Sequence, residues 1–132
     1  MLDKKGTFEI NHTEVKNYIS LFILLFLTGS CQEAHQLPIN EFSQDDLQNY
    51  TLLDVRTPEE FEEGHLVNAI NINWFDDNFT EQVAVLEKEK TIYVYCQKGG
   101  RSAEARAVLD SLGFKAIDLT GGYGAWTANT GD

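Results

Sequence analysis

The chain has 132 residues, enough for one globular domain and a short additional segment. Because 10 Lys and Arg stand against 21 Asp and Glu, the net charge of −11 argues against nucleic acid or an anionic membrane surface as a partner. Hydrophobic residues make up 42% of the chain and only two prolines occur, which excludes intrinsic disorder over most of it. The two cysteines, Cys31 and Cys96, are too few for a disulfide framework, so each is interpreted separately.

The first 30 residues are predicted to be a signal peptide rather than part of the folded domain. Residues 19–27 form an apolar run that follows Lys16. The run is too short to span a bilayer, which needs about 20 apolar residues, but it has the length of the hydrophobic region of a signal peptide. A buried apolar helix is the structural alternative.

Small residues lie directly before the first cysteine, in the segment Leu27-Thr28-Gly29-Ser30-Cys31. This segment resembles the signal of bacterial lipoproteins, in which the chain is cut before a cysteine that is then lipidated. The resemblance implies that residues 1–30 are removed, that Cys31 carries the lipid and that residues 31–37 form a polar tether. It also implies a place in the bacterial cell envelope, facing the periplasm, with membrane contact only through the lipid. A plain secretory signal is the alternative.

Residues 38–132 are predicted to form a single α/β domain. Turn signals and short apolar runs alternate there in the way that is typical of βα units. The capping box Thr57-Pro58-Glu59-Glu60 predicts the start of one helix, and Gly113 is expected just after the end of another. In chain order, the predicted elements are a short helix after Ser43, a strand at 51–55, a helix at 57–63, a strand at 69–72, a helix at 80–86, a strand at 91–95, a helix at 102–112, a strand at 115–119, a glycine-rich turn at 121–126 and a short terminal helix.

Cys96 follows the most strongly predicted strand, at residues 91–95. If that strand belongs to a parallel sheet, its carboxyl end is the edge at which such folds place their ligands. Gly99 and Gly100 allow successive backbone N–H groups to turn inward and form a nest for an anion. The loop therefore places a thiol beside an anion-binding backbone.

Charges around the loop favour the thiolate form of Cys96. The helix predicted to start near Ser102 directs its positive end at the thiol. Lys98 and Arg101 add full positive charges, and nearby cations and helix ends lower the pKa of a thiol. The pattern predicts a nucleophilic sulfur. Lys98 is expected to attract an anionic substrate, and Arg101 to hold either the loop or that substrate.

Four segments follow one another along the chain at 53–61, 64–66 with Ala69, 95–102 and 119–126. Together they resemble the rhodanese family of sulfurtransferases over residues 38–128. The resemblance implies a central parallel sheet flanked by helices, and a Cys96 that receives a sulfane sulfur as a persulfide and passes it on. The donor would be a small anion such as thiosulfate and the acceptor cyanide, a thiol or a protein thiol, with no metal or organic cofactor.

The resemblance also assigns roles around the cysteine. It implies that Asp54 and Arg56 organise the catalytic loop rather than react, although an ordinary ion pair at a strand end would need the same residues. His65 is expected to hold the turn after Gly64, and Asn68 to allow a left-handed backbone there. The predicted donor-binding loop consists of Gln97, Lys98, Gly99, Gly100, Arg101 and Ser102.

Two other functions remain open for the same fold. A phosphatase or arsenate reductase is disfavoured because Cys96 to Arg101 is six residues, the length that the resemblance associates with sulfurtransferases, whereas related phosphatases have one more. A non-catalytic module that binds a partner through the acidic residues 59–63 is the second alternative. Tyr123 and Trp126 are expected to pack against the sheet, and Trp74 and Phe75 to lie in the core or at the pocket rim.

Overall fold

The computed structural model describes residues 35–45 and 49–131. The predicted signal peptide, Cys31 and most of the tether lie outside the described residues, as do residues 46–48 of the helix predicted after Ser43. Over the described ranges, every helix is too short or too polar to cross a membrane.

Five strands form one parallel sheet in the order β1-β5-β4-β2-β3. Four of them match the predicted strands within two residues at each end. The sequence did not predict β1, which includes two residues of the expected tether and pairs with β5. The strands are β1 (Gln36–Pro38), β2 (Tyr50–Asp54), β3 (Ile70–Asn71), β4 (Thr91–Tyr95) and β5 (Ala116–Thr120).

The helices follow the predicted order with shifted ends. The capping box at the start of α1 is confirmed, because the Thr57 hydroxyl accepts from Glu60 N–H and the Glu60 carboxylate accepts from Thr57 N–H. Helix α3 begins two residues before the predicted Ser102, and α4 begins inside the segment predicted as a turn. The helices are α1 (Pro58–Glu62), α2 (Phe79–Ala84), α3 (Gly100–Ser111) and α4 (Gly122–Thr130), and a 3-10 turn covers Ile39–Glu41.

Helices cover both faces of the sheet, which confirms the predicted α/β class. Side chains alternate along β4, so Val94 and Cys96 face one side while Tyr93 and Tyr95 face the other. On the first side the sheet packs against α2 and α3, and on the second it packs against the 3-10 turn and α4. The carboxyl end of β4 is thereby enclosed between two helical layers, where the cysteine loop begins.

Candidate active site

The ends of β2 and β4 bring the predicted site residues together. Asp54 pairs with Tyr95 in the parallel register, and the Val55 N–H donates to the Tyr95 carbonyl at 3.0 Å. Arg56 and Cys96 therefore leave the sheet side by side.

The Cys96 thiol is almost fully buried and surrounded by donors. It is 1% exposed, and the Gly99 N–H donates to its Sγ at 3.1 Å. Burial raises the pKa of the thiol, but the Ser102 side chain and the backbone N–H groups of Ser102, Gly99 and Lys98 together lower it by more, so the pKa lies below its usual value. The surroundings favour the thiolate, which is the nucleophilic form.

The loop turns sharply into α3 at Gly99. This residue caps the helix in a left-handed conformation with φ of 109°, which glycine adopts without the steric cost of a side chain. The Ser102 hydroxyl donates to the Gly99 carbonyl at 3.2 Å and closes the turn. The first turn of α3 therefore points its free N–H groups toward Cys96.

The two cations of the loop have different surroundings. Lys98 is exposed. Arg101 makes a bidentate ion pair with Glu60, in which the two guanidinium NH2 groups lie 2.7 and 2.8 Å from the two carboxylate oxygens. Hydrogen bonds from Arg101 lower the pKa of Glu60 to about 2. This ion pair connects the cysteine loop to α1. The sequence did not assign Glu60 to the site because the two residues are 41 positions apart.

A buried ion pair lies beneath the loop. Asp54 and Arg56 are in contact at 2.7 Å, with side chains 0% and 2% exposed. The Arg56 guanidinium also donates to the Gly64 carbonyl at 2.6 Å and to the Gln97 side-chain oxygen at 3.1 Å. Arg56 therefore joins β2, the turn after α1 and the cysteine loop.

The start of α4 fastens the backbone of the cysteine loop from the other side. The Tyr123 N–H donates to the Cys96 carbonyl at 2.8 Å, and the Gly124 N–H donates to the Gln97 carbonyl at 3.1 Å. A Cβ atom on Gly122 would lie 2.5 Å from the Cys96 oxygen, so only glycine fits. This contact was not predicted from the sequence, although two consecutive glycines, Gly121 and Gly122, indicate a close backbone approach.

The turn after α1 is held by aromatic side chains. Tyr123, predicted to pack against the sheet, does so and also places its ring 4.1 Å from the Arg56 guanidinium carbon. The His65 ring stacks on Phe61 at 3.6 Å between centroids and its Nδ1 is 2.8 Å from the Phe61 carbonyl. Asn68 has a φ of 61°, as its residue type predicted. These contacts and the left-handed Asn68 fix the shape of the turn.

The two aromatic residues after β3 have separate positions. Trp74 packs against the core, where its ring meets Phe79 edge-on at 4.9 Å. Phe75 is 64% exposed and lies 5.6 Å from the Arg101 guanidinium carbon, which places it at the rim of the site. Within residues 35–45 and 49–131, no group of three His, Cys, Asp or Glu side chains is placed to hold a metal ion.

Comparisons with known proteins point to one family. The family model described as "Rhodanese-like domain" matches residues 39–129. The chain is 40% identical over 94 residues to thiosulfate sulfurtransferase 16 of Arabidopsis thaliana, covering 63% of this chain and 78% of that protein. It is 34% identical over 70 residues to thiosulfate sulfurtransferase PspE of Escherichia coli, covering 53% of this chain and 67% of that protein. A rhodanese-related protein from Thermoplasma volcanium has a similar solved structure, with 33% identity, a TM-score of 0.64 and coverage of 72% of this chain and 92% of that one.

Proposed function

This chain belongs to the rhodanese-like domain family, and on that basis we propose that it is a sulfurtransferase that carries sulfane sulfur on Cys96. The observation that carries the proposal is the Cys96 thiol itself, which lies at the carboxyl end of β4 with its pKa lowered by the donors of its own loop. The two relatives named as thiosulfate sulfurtransferases support the same reaction class. Family membership alone is compatible with a non-catalytic domain, so the loop chemistry is needed for the proposal.

In the proposed first step, the Cys96 thiolate attacks the outer sulfur of a donor such as thiosulfate. A bond forms between Sγ and that sulfur, the bond to the sulfite group breaks, and sulfite leaves with the electron pair. The transferred sulfur of the persulfide would lie in the nest formed by the loop N–H groups, of which those of Lys98, Gly99 and Ser102 are directed at Sγ. Lys98 offers an exposed positive charge to the anionic donor.

In the proposed second step, a thiophilic acceptor attacks the outer sulfur of the persulfide. With cyanide, a carbon–sulfur bond forms, thiocyanate leaves and the Cys96 thiolate returns. A small thiol or a protein thiol would accept the sulfur as a persulfide of its own. Because Arg56, Arg101 and the start of α4 fasten the loop before the reaction, little reorganisation is needed when charge shifts onto the sulfur.

An assay of the full chain distinguishes the proposal from its rivals. We expect thiocyanate to form from thiosulfate and cyanide, and Cys96→Ser to abolish it. Activity toward an aryl phosphate or arsenate, without thiocyanate formation, would favour a phosphatase or an arsenate reductase. A folded chain inactive in all three assays would favour a partner-binding module.

We also propose that the domain is held at the bacterial cell envelope by a lipid on Cys31. The proposal depends on the segment Leu27-Thr28-Gly29-Ser30-Cys31 and on the apolar run at 19–27. When the full chain is expressed in bacteria, we expect it in the membrane fraction and expect Cys31→Ser to release it from that fraction. A wild-type chain recovered in the soluble fraction would contradict the anchor while leaving the sulfurtransferase proposal untouched.

A further inference from the structure

Arg101 stands beside the reactive thiol, but both of its terminal NH2 groups are already occupied. It is the second residue of α3 and follows Gly99, whose N–H donates to the Cys96 sulfur at 3.1 Å. Its Nη1 atom lies 2.7 Å from Glu60 Oε2, and its Nη2 atom lies 2.8 Å from Glu60 Oε1. Arginine binds other oxyanions through the same fork of two N–H groups. An anionic sulfur donor would therefore have to compete with Glu60 for this guanidinium.

Glu60 is held in place before any substrate arrives. The Thr57 N–H donates to Glu60 Oε2 at 3.0 Å, and the Glu60 N–H donates to the Thr57 hydroxyl at 3.3 Å. Because the capping box already fixes the carboxylate, pairing with Arg101 costs little additional side-chain entropy. The side chains of Arg101 and Glu60 are 21% and 30% exposed, so the pair is partly shielded from solvent. A carboxylate held in this way is an effective competitor.

The two cations of the loop therefore differ in how much charge they offer to a donor. The Arg101 guanidinium has the Glu60 carboxylate at its edge and the exposed ring of Phe75 at 5.6 Å. Lys98 is exposed and makes no ion pair with any residue in the described part of the chain. The pKa of Arg101 is raised mainly by its hydrogen bond to Glu60, and the charge of Cys96 raises it further, as expected for a cation close to the thiolate.

We propose that Glu60 is a specificity-determining residue, which withholds Arg101 from the donor and thereby weakens the binding of strongly anionic donors such as thiosulfate. The inference rests on the sulfurtransferase function proposed above. With Arg101 neutralised, Lys98 alone attracts the donor, so a dianion gains less from the loop than two free cations would provide. A thiol persulfide without an oxyanion group loses nothing, because it has no oxygens for the guanidinium to bind.

The pair consequently favours thiol persulfides of low charge as the class of donor. In that transfer, the Cys96 thiolate attacks the outer sulfur of the persulfide and a bond forms between Sγ and that sulfur. The sulfur–sulfur bond of the donor breaks, and its thiolate leaves with the electron pair. The proton of the persulfide stays on the transferred sulfur. The reaction is the same as with thiosulfate, and only the leaving group differs in charge.

The first test compares an anionic with a neutral reagent at Cys96 in the full chain. Iodoacetate and iodoacetamide are similar in size and react with the same thiolate, so the ratio of their rates reports the attraction of an anion rather than the pKa of the thiol. Mass spectrometry of the peptide that contains Cys96 excludes any contribution from Cys31. For Glu60→Gln we expect the ratio of iodoacetate to iodoacetamide rates to rise about tenfold, because the freed guanidinium can bind the iodoacetate carboxylate.

Two controls separate the pair from a general effect of charge. Glu59→Gln removes the same charge from the same helix at an exposed position, and we expect the ratio to stay near the wild-type value. Adding Arg101→Met to Glu60→Gln should cancel the rise. An unchanged ratio in Glu60→Gln would overturn the proposal. An equal rise in Glu59→Gln, or a rise that persists without Arg101, would also overturn it, since Glu60 would then act through its charge alone.

A second measurement uses sulfur loading of Cys96. The thiosulfate concentration that gives half-maximal loading rate should fall in Glu60→Gln while the maximal rate stays near that of the wild type, and loading from cysteamine persulfide should not change. If circular dichroism shows that Glu60→Gln does not fold, Glu60→Asp takes its place, because its side chain is one methylene shorter and keeps the charge while weakening the pair. A chain that loads sulfur while neither the ratio nor the half-maximal concentration changes contradicts only the role of Glu60. A chain that shows the change in the ratio but loads no sulfur contradicts only the sulfurtransferase function.

Discussion

Arg56 and Gln97 join the ends of two neighbouring strands: the Arg56 guanidinium donates to the Gln97 side-chain oxygen at 3.1 Å, directly beside Cys96. The same guanidinium is paired with Asp54 beneath the sheet edge. A single buried cation therefore links the stability of the domain to the geometry of the cysteine loop.

Replacing Arg56 should destabilise the whole domain. Arg56→Met leaves the Asp54 carboxylate buried without its partner, and removing one member of a buried pair costs about 3–5 kcal/mol. We expect a loss of that size in the free energy of unfolding, measured by urea denaturation. Arg106→Met is the matched control, because Arg106 pairs with Asp110 at 23% and 33% side-chain exposure, and such a pair contributes about 0–1 kcal/mol. Equal losses in the two variants would contradict the structural role of Arg56.

Gly122→Ala should displace the cysteine loop. Its Cβ would lie 2.5 Å from the Cys96 oxygen and 2.7 Å from the carbonyl of Gln97, at a φ of +65°. The control is Gly113→Ala, which has a similar φ of +83° but only the far end of Lys88 nearby, at 4.0 Å. The left-handed backbone alone costs about 1–2 kcal/mol, so we expect a loss of that size in Gly113→Ala and a larger one in Gly122→Ala.

Sulfur loading separates these two glycine variants further. Persulfide formation at Cys96 should fall strongly in Gly122→Ala and stay at the wild-type level in Gly113→Ala. Normal loading in a folded Gly122→Ala would show that the backbone approach at α4 does not position the loop.

The ion pair of Glu60 and Arg101 should make stability depend on pH at the acidic end. Arg101 lowers the pKa of Glu60 to about 2, below the ordinary value of about 4.3. A lowered pKa contributes stability that is fully present above about pH 4.3 and is lost as the pH falls through about 2. We therefore expect the difference in unfolding free energy between wild type and Glu60→Gln to be largest at neutral pH and to shrink in acid.

Glu60→Gln keeps an acceptor for the Thr57 N–H, so the capping box remains while the charge is removed. Glu87→Gln is the control, because Glu87 pairs with Lys90 at 3.0 Å but its side chain is 66% exposed. Its effect should be small at every pH. A Glu60→Gln difference that stays constant from pH 7 to pH 2 would contradict the assignment of the ion pair.

Local patterns in the sequence predicted the central strands of the sheet and the cysteine loop that follows β4. Strand 91–95 consists of β-branched and aromatic residues, which favour strands. The residues after it combine a thiol, two glycines and two cations, so the chemistry of the loop can be predicted without knowledge of the fold. The capping box of α1 and the left-handed Asn68 were also visible, because each depends on a few adjacent residues.

The contacts that the sequence did not reveal are those between distant segments. Strand β1 has three residues, too few for a periodic pattern, and it exists only because β5 lies beside it. In the sequence, Glu60 belongs to the capping box and to the acidic residues 59–63, and nothing local shows that Arg101 approaches it. The contact of Gly122 with the Cys96 backbone likewise depends on where α4 docks.

The most direct test of the central claim is the mass of the Cys96 peptide after the full chain is treated with thiosulfate, with Cys96→Ser treated in parallel. We predict a gain of one sulfur atom on the wild-type peptide, removed by cyanide, and none on the variant. Failure to gain sulfur from thiosulfate, polysulfide or a small persulfide, in a chain that is folded, would contradict the role of Cys96 as a sulfur carrier.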